Sequence, residues 1–276
     1  MDGDNRNTLM GFFRYQKLRL KKSYYQTIKM LSARRSYSVL ISSFLTLLRL
    51  KPSNKVFVVG LNKTGTSSIH KLLSELGYHS DHSVMWTRSP YSLRLMMFDA
   101  FSDGFPRYFD KLDRLFPNSK FILNVRDLDN WLDSRLNHLE FKESIGPNFK
   151  GKGIWRSDDD AVRKSILMRN EHHLRVLWHF AERPENLLVV NFVRDPDAAQ
   201  KIAAFLGIDQ TVEKPHAHPI PKKRDQSKLR FQDKIIKSFN DLNIPEAEWS
   251  NDLFCPSLVE NPASLNWVPD TSMRVD

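Results

Sequence analysis

The chain has 276 residues, enough to bury one large core, and with 41% hydrophobic and 27% charged residues its composition is that of a folded soluble protein. A single cysteine, Cys255, excludes an intramolecular disulfide framework and an all-cysteine zinc site. The formal net charge of +10 sits in the first 55 residues, where twelve Lys or Arg face only Asp2 and Asp4; the remaining 30 bases and 30 acids cancel, which argues against a uniformly basic nucleic-acid binder.

That basic arm opens the chain. Phe12–Arg35 interleaves bases with aromatics (FFRYQKLRLKKSYYQTIKMLSARR), and Val39–Leu48 (VLISSFLTLL) is an apolar run of ten residues. A spanning helix needs about 20, so the run is too short to cross a bilayer unaided. It starts far from Met1 and is followed by Arg49 and Lys51 rather than by a small-residue cleavage site, so a secretory signal is not expected. Spacing favours a helical extension packed through its Leu, Phe and Ile face. The alternative is a membrane-surface helix, giving peripheral membrane contact through residues 12–50 at the cytoplasmic face of an otherwise cytoplasmic protein.

Lys51-Pro52-Ser53-Asn54 is a breaker cluster, dividing a basic extension (residues 1–54) from a main domain (55–250) and an irregular, Pro-, Asn- and Ser-rich tail expected on the surface (251–276). KVFVVG then reads as a short buried strand, and Thr66–Leu76 carries helical apolar spacing at Ile69, Leu72, Leu73 and Leu76 up to Gly77. Residues 81–104 are mixed. A helix is expected over Tyr108–Leu115, a second strand over Lys120–Val125 (KFILNV) and a helix over Asp129–Leu139, followed by a glycine-containing loop, Phe141–Ser157. A long helix over Asp158–Ala181, a third strand in LLVVNF and a helix over Asp195–Leu206 complete the alternation. The pattern predicts a single α/β domain whose mainly parallel sheet, flanked by helices, is like that of P-loop nucleotide-binding proteins.

The first strand-to-helix turn, VVGLNKTGTSS, carries the chemistry. Gly60 and Gly65 have the spacing of a Walker-type phosphate loop, but Thr66 stands where that loop has its lysine, and Lys63 lies three residues earlier. Backbone N–H groups from Thr64 to Ser67, the helix dipole and the hydroxyls of Thr66, Ser67 and Ser68 point to an anion site that Gly65 lets the backbone approach. Lys63 would meet charge on a bridging oxygen. Arg126 closes the second strand, and Ser134 follows eight residues later on the next helix. In a parallel sheet both turns face one crevice, so the two anion sites suit a ligand with two non-adjacent phosphates.

These residues resemble the sulfotransferases that use 3'-phosphoadenosine 5'-phosphosulfate, PAPS. Asn62–Ser68 (NKTGTSS) is similar to the family's 5'-phosphosulfate loop, and FILNVRDLDNWLDS to its 3'-phosphate motif, in the bacterial-type form. The resemblance runs from about Val56 to Pro215 and takes in FSDGFPRYFDKLDRLFPNSKFILNVRD, RPENLLVVNF and AAFLGI. It implies transfer of a sulfuryl group from PAPS, as co-substrate and without a metal, to a hydroxyl or amine of a small-molecule, lipid or carbohydrate acceptor. It also implies roles for particular residues. Asn62, Lys63, Thr64, Gly65, Thr66, Ser67 and Ser68 would hold the 5'-phosphosulfate, with Lys63 at the bridging oxygen; Arg126 and Ser134 would hold the 3'-phosphate, and a basic late loop, Lys222-Lys223-Arg224, would cover it. The general base would come from Asp81, His82, Asp99 or Asp103, with Asp103 in FSDGF favoured.

Duller readings stand beside these. Asp103 can be a turn cap, the Lys222 cluster a solvated run, and Arg126 a surface partner of Asp127. His172 and His173 are adjacent on a helix and point about 100° apart, which predicts surface and core-edge residues rather than a metal pair. Trp131 reads as core. The rival functions are a P-loop kinase or NTPase, weakened by the missing lysine and by the lack of a Walker-B strand, and a non-catalytic member that docks on a membrane or partner through the arm.

Overall fold

Apolar runs separated by helical segments become one parallel sheet in the computed structural model, which describes residues 54–90, 92, 94–145, 153–215 and 230–259. Its strands are β1 (Val56–Val58), β2 (Ser80–His82), β3 (Ala100–Ser102), β4 (Lys120–Asn124) and β5 (Leu187–Val190). They lie in the order β2-β3-β1-β4-β5, every pairing is parallel, and Phe57 of β1 is in register with Phe101 of β3 and Phe121 of β4. The helices are α1 (Thr66–Glu75), α2 (Arg94–Met97), α3 (Phe109–Leu115), α4 (Leu128–Ile145), α5 (Asp159–His179), α6 (Ala198–Phe205), α7 (Gln232–Asp241) and α8 (Pro256–Val259).

β1 shows why the strands read as unbroken apolar runs. Val56 and Val58 pack with Ile69 and Leu72 of α1 and Ala198 and Ile202 of α6 on one face of the sheet. Phe57 and Val59 pack with Phe101, Phe109, Phe121 and Phe180 on the other. Both faces are covered, so neither set of alternate residues can be polar. A third cluster joins Trp131, Leu132 and Leu136 of α4 to Ile166 of α5 and Phe239 of α7. All strands point the same way, so the turns after β1, β2, β3 and β4 emerge along a single edge. No helix among the described residues is long and apolar enough to cross a membrane.

The structure departs from the sequence reading in four places. The mixed region 81–104 holds the end of β2 and all of β3, strands of three residues each, too short to display a two-residue period. α4 continues past Leu139 to Ile145, because no glycine or proline intervenes before Gly146. Residues 251–259 are not a surface tail: Cys255 is 0% and Leu258 2% exposed, packed in the cluster with α4 and α7. His172 and His173 are neither surface nor core-edge residues but fully inside, at 2% and 0% exposure. Their ring N–H groups donate to backbone carbonyls, His172 Nε2 to Val59 at 2.6 Å and His173 Nδ1 to Leu253. A long helix crossing over the sheet buries consecutive residues that a surface helix would separate. The arm (residues 12–50), Lys222 and Lys223 lie outside the described residues.

Candidate active site

β4 holds the Lys63 loop from beneath. A Cβ at Gly60 would meet the Asn124 carbonyl oxygen at 2.1 Å, so only glycine lets the loop leave β1 this close to β4. The Asn124 side chain, fully buried, accepts from the Gly60 N–H at 3.0 Å and donates to the Thr64 hydroxyl, which itself donates to the Leu61 carbonyl at 2.5 Å. Above this anchor the backbone turns left-handed at Lys63 (φ 70°) and again at Gly65 (φ 94°). The described non-glycine residues with positive φ are Lys63, Asp103, Asn118 and Asn243. Asparagine adopts that conformation readily; lysine holds it at a cost of about 1–2 kcal/mol, the kind of strain found where a loop is shaped for a ligand. α1 begins at once, with no side-chain cap and no acidic residue in its first turn. The Ser68 and Ile69 N–H groups donate to the Gly65 carbonyl, both at 3.0 Å, and the turn ahead of them, at the positive end of the helix dipole, forms a concavity suited to an anion.

The turn after β4 adjoins this concavity. Arg126 Nη1 donates to the Lys63 carbonyl at 2.9 Å. α4 presents a face to the loop as well: Trp131 Nε1 donates to the Asn62 carbonyl at 2.9 Å and Arg135 Nη1 to the Asn62 side chain at 3.3 Å, and Ser134 shares that face. The Arg126 turn is braced from behind. The buried Arg169 guanidinium donates to the carbonyls of Arg126 (3.2 Å), Asn251 (3.0 Å) and Asp252 (2.6 Å), and Arg194 links Asp127 (2.6 Å) to Asp252 (2.5 Å). The first turn of α4 is capped by the same C-terminal segment, Leu128 and Asp129 donating to the carbonyls of Asn251 and Trp249, both at 3.1 Å. This helix start is therefore closed by protein, and the turn offers an anion the Arg126 side chain instead of backbone N–H groups.

Positive charge is crowded here. Burial pushes the Lys63 ammonium below the ordinary lysine range; Asp103 opposes that shift, while Lys142, Arg126 and Arg135 add to it. His138, on the same α4 face, is brought down to about 4 by burial and by Lys63, Lys142 and Arg135. Burial lowers Arg135 to about 10, and its guanidinium lies 4.6 Å from the Trp155 ring, which Lys142 also approaches at 5.4 Å. A site where burial and the repulsion between neighbouring cations both disfavour positive charge is stabilised by an anionic ligand.

The expected residues sort clearly. Lys63, Gly65, Thr66, Ser67 and Ser68 lie on the concavity or the first turn of α1, and Arg126 and Ser134 beside it. Thr64 and Asn62 differ from expectation: the Thr64 hydroxyl is tied inward to Leu61 and Asn124, and the Asn62 side chain to Arg135, so both brace the loop. Among the base candidates, Asp99 precedes β3, at the opposite edge of the sheet, and Asp81 is buried and paired with Arg94 at 2.8 Å. Asp103 follows β3 on the site's edge, left-handed at φ 72°, its carbonyl accepting from Trp86 Nε1 at 2.8 Å, with its carboxylate acting on Lys63. Sequence reasoning missed Asn124, Arg135 and Arg169. Each had a signal, a polar residue at a position the apolar period assigns to the core.

Comparison with known proteins bears on this geometry. Residues 95–229 match the model of the sulfotransferase domain family. No curated protein sequence matches the chain. Among solved structures, a sulfotransferase from Alicyclobacillus acidocaldarius is similar at 16% identity and a TM-score of 0.43, over 73% of this chain and 99% of that one. The family match begins after the Lys63 loop and takes in the Asp103 turn, β4, Arg126 and Ser134.

Proposed function

We propose that the chain transfers the sulfuryl group of 3'-phosphoadenosine 5'-phosphosulfate to a hydroxyl or amine of a small-molecule, lipid or carbohydrate acceptor, leaving adenosine 3',5'-bisphosphate; the match of residues 95–229 to the sulfotransferase domain family supports this reading. The observation that carries this reading is the hydrogen bond from Arg126 Nη1 to the Lys63 carbonyl, which sets two cationic turns side by side on one sheet edge. A donor with separate 5'- and 3'-phosphates fits such a pair, and a nucleoside triphosphate, whose phosphates form one chain, does not. The α1 N-terminus and the Lys63–Ser68 loop hold the 5'-phosphate, with Lys63 neutralising charge on the leaving oxygen; Arg126 and Ser134 hold the 3'-phosphate. Asp103 stands within electrostatic reach of Lys63 and takes the acceptor's proton. The donor is already activated, so catalysis rests on positioning and charge.

Thermal denaturation with adenosine 3',5'-bisphosphate and no magnesium tests this. At a hundredfold excess over Kd the ligand stabilises by about 2.7 kcal/mol, raising the melting temperature by about 5–10 °C. Arg126→Ala removes most of that gain. Stabilisation by ATP with magnesium, and none by the bisphosphate, sinks the proposal in favour of a kinase or NTPase. The location of the whole charge excess in residues 1–55 supports peripheral contact of the arm with an anionic membrane. Liposome sedimentation with and without residues 1–50 checks it, and arm-independent binding, or none, refutes it.

A further inference from the structure

Resting on that donor reading, we propose that His82 is a positioning residue: its imidazole bridges the Ser102 and Ser67 hydroxyls and so turns the Ser67 O–H toward the donor's 5'-phosphate. His82 ends β2, Ser102 ends β3, and Ser67 is the second residue of α1, so one ring joins three elements of the site's edge. Nε2 lies 3.1 Å from Ser67 Oγ and Nδ1 3.1 Å from the fully buried Ser102 Oγ. The ring is held in plane by His70, stacked on it at 5.2 Å and 20° and itself fixed by Ser80 at 2.8 Å.

Proton counting gives the direction of the relay. A hydroxyl has one hydrogen and two lone pairs. If Ser67 donates to Nε2, it turns lone pairs to the phosphate and repels it. If Nε2–H donates to Ser67, the serine hydrogen is released for the anion; Nδ1 of the neutral ring then carries no hydrogen and accepts from the Ser102 O–H. The favoured pattern runs one way, from Ser102 to His82 to Ser67 to phosphate, each donor polarising the next. A doubly protonated ring keeps the last two links. In this relay both ring nitrogens are engaged within the protein, so His82 does not act as the base for the acceptor. Ser102 directly precedes Asp103, so the relay also ties the donor loop to the strand end that carries the proposed base.

The test uses the full chain, titrated calorimetrically with adenosine 3',5'-bisphosphate and with adenosine 3'-monophosphate. His82→Phe keeps a ring on His70 but has no donor, and is expected to weaken the bisphosphate about tenfold, the usual loss of a hydrogen bond to a charged network, while the monophosphate changes by less than about twofold. His82→Gln restores an N–H near the Nε2 position and recovers most of the affinity. Ser67→Ala loses as much as His82→Phe, and combining the two loses little more, as for residues in one chain. If His82→Phe does not fold, Ser102→Ala reads the same relay through a smaller, bisphosphate-only loss. Equal losses for both nucleotides, no loss for the bisphosphate, or no recovery with Gln overturns the relay. Wild-type protein that binds neither nucleotide overturns the donor reading itself, and the relay with it.

Discussion

Replacing Asn124 with Leu keeps the side-chain size and removes both hydrogen bonds by which β4 holds the Lys63 loop. The Gly60 N–H loses its acceptor, and the Thr64 hydroxyl loses its donor while keeping its own bond to Leu61. A buried polar group left without its partner costs about 1–3 kcal/mol; the Gly60 N–H sits in the middle of that range, and Thr64, half satisfied, at its low end. The sum is about 2–4 kcal/mol, or a melting temperature lower by about 5–15 °C for a domain of this size. The loop that loses its anchor is the proposed phosphate loop, so bisphosphate affinity falls in the same variant. Differential scanning calorimetry and a nucleotide titration measure both. A melting temperature within about 1 °C of wild type, with unchanged affinity, refutes the argument that Asn124 sets the loop.

Three further outcomes follow from the geometry. Burial and neighbouring cations lower Lys63 in the free protein, and anion binding requires its ammonium; bisphosphate affinity therefore declines with rising pH below the usual lysine range, by up to about tenfold per pH unit, and Lys63→Arg abolishes the decline. Asp103→Asn fits the left-handed turn and leaves stability intact while lowering turnover about 100-fold or more, once labelled sulfuryl transfer has identified an acceptor; near-normal turnover removes Asp103 as the base. His172, buried and held near 4 against an ordinary 6.5, stays neutral in the fold, so the stability it contributes is complete above pH 6.5 and is lost as pH falls toward 4. Between pH 7 and 5 the loss is about 2 kcal/mol in urea unfolding, and His172→Gln, which keeps a donor for the Val59 carbonyl, lacks that share.

Deleting residues 251–276 separates the observed packing from the tail first expected there. The truncation removes the Asn251 carbonyl that caps Leu128 at the start of α4 and the Asn251 and Asp252 carbonyls that brace Arg169, together with the buried Cys255 and Leu258, and leaves the Trp249 cap on Asp129 in place. It is expected to lower the melting temperature by about 10 °C or more; a change of about 1–2 °C would show that the segment is dispensable.

The sequence by itself determined the local parts of this protein. KVFVVG and KFILNV announce strands, because a sheet covered on both faces demands unbroken apolar runs, and the glycines and Lys63 mark the turn between the first strand and its helix. Arg126 and Ser134 could be placed on their strand end and helix for the same reason: neighbours in sequence report their own backbone conformation. What only the tertiary structure decided is who meets whom. Arg126 touches the carbonyl of Lys63 across 63 residues, Asn124 reaches Thr64 across 60, and Arg169 reaches Asp252 across 83. Three-residue strands have no readable period, so β2 and β3 emerged only from pairing with their neighbours, and with them the edge that holds His82, Ser102 and Asp103. A buried hydrogen bond has two ends far apart in the chain, and the residue at either end looks, alone, like an ordinary polar side chain.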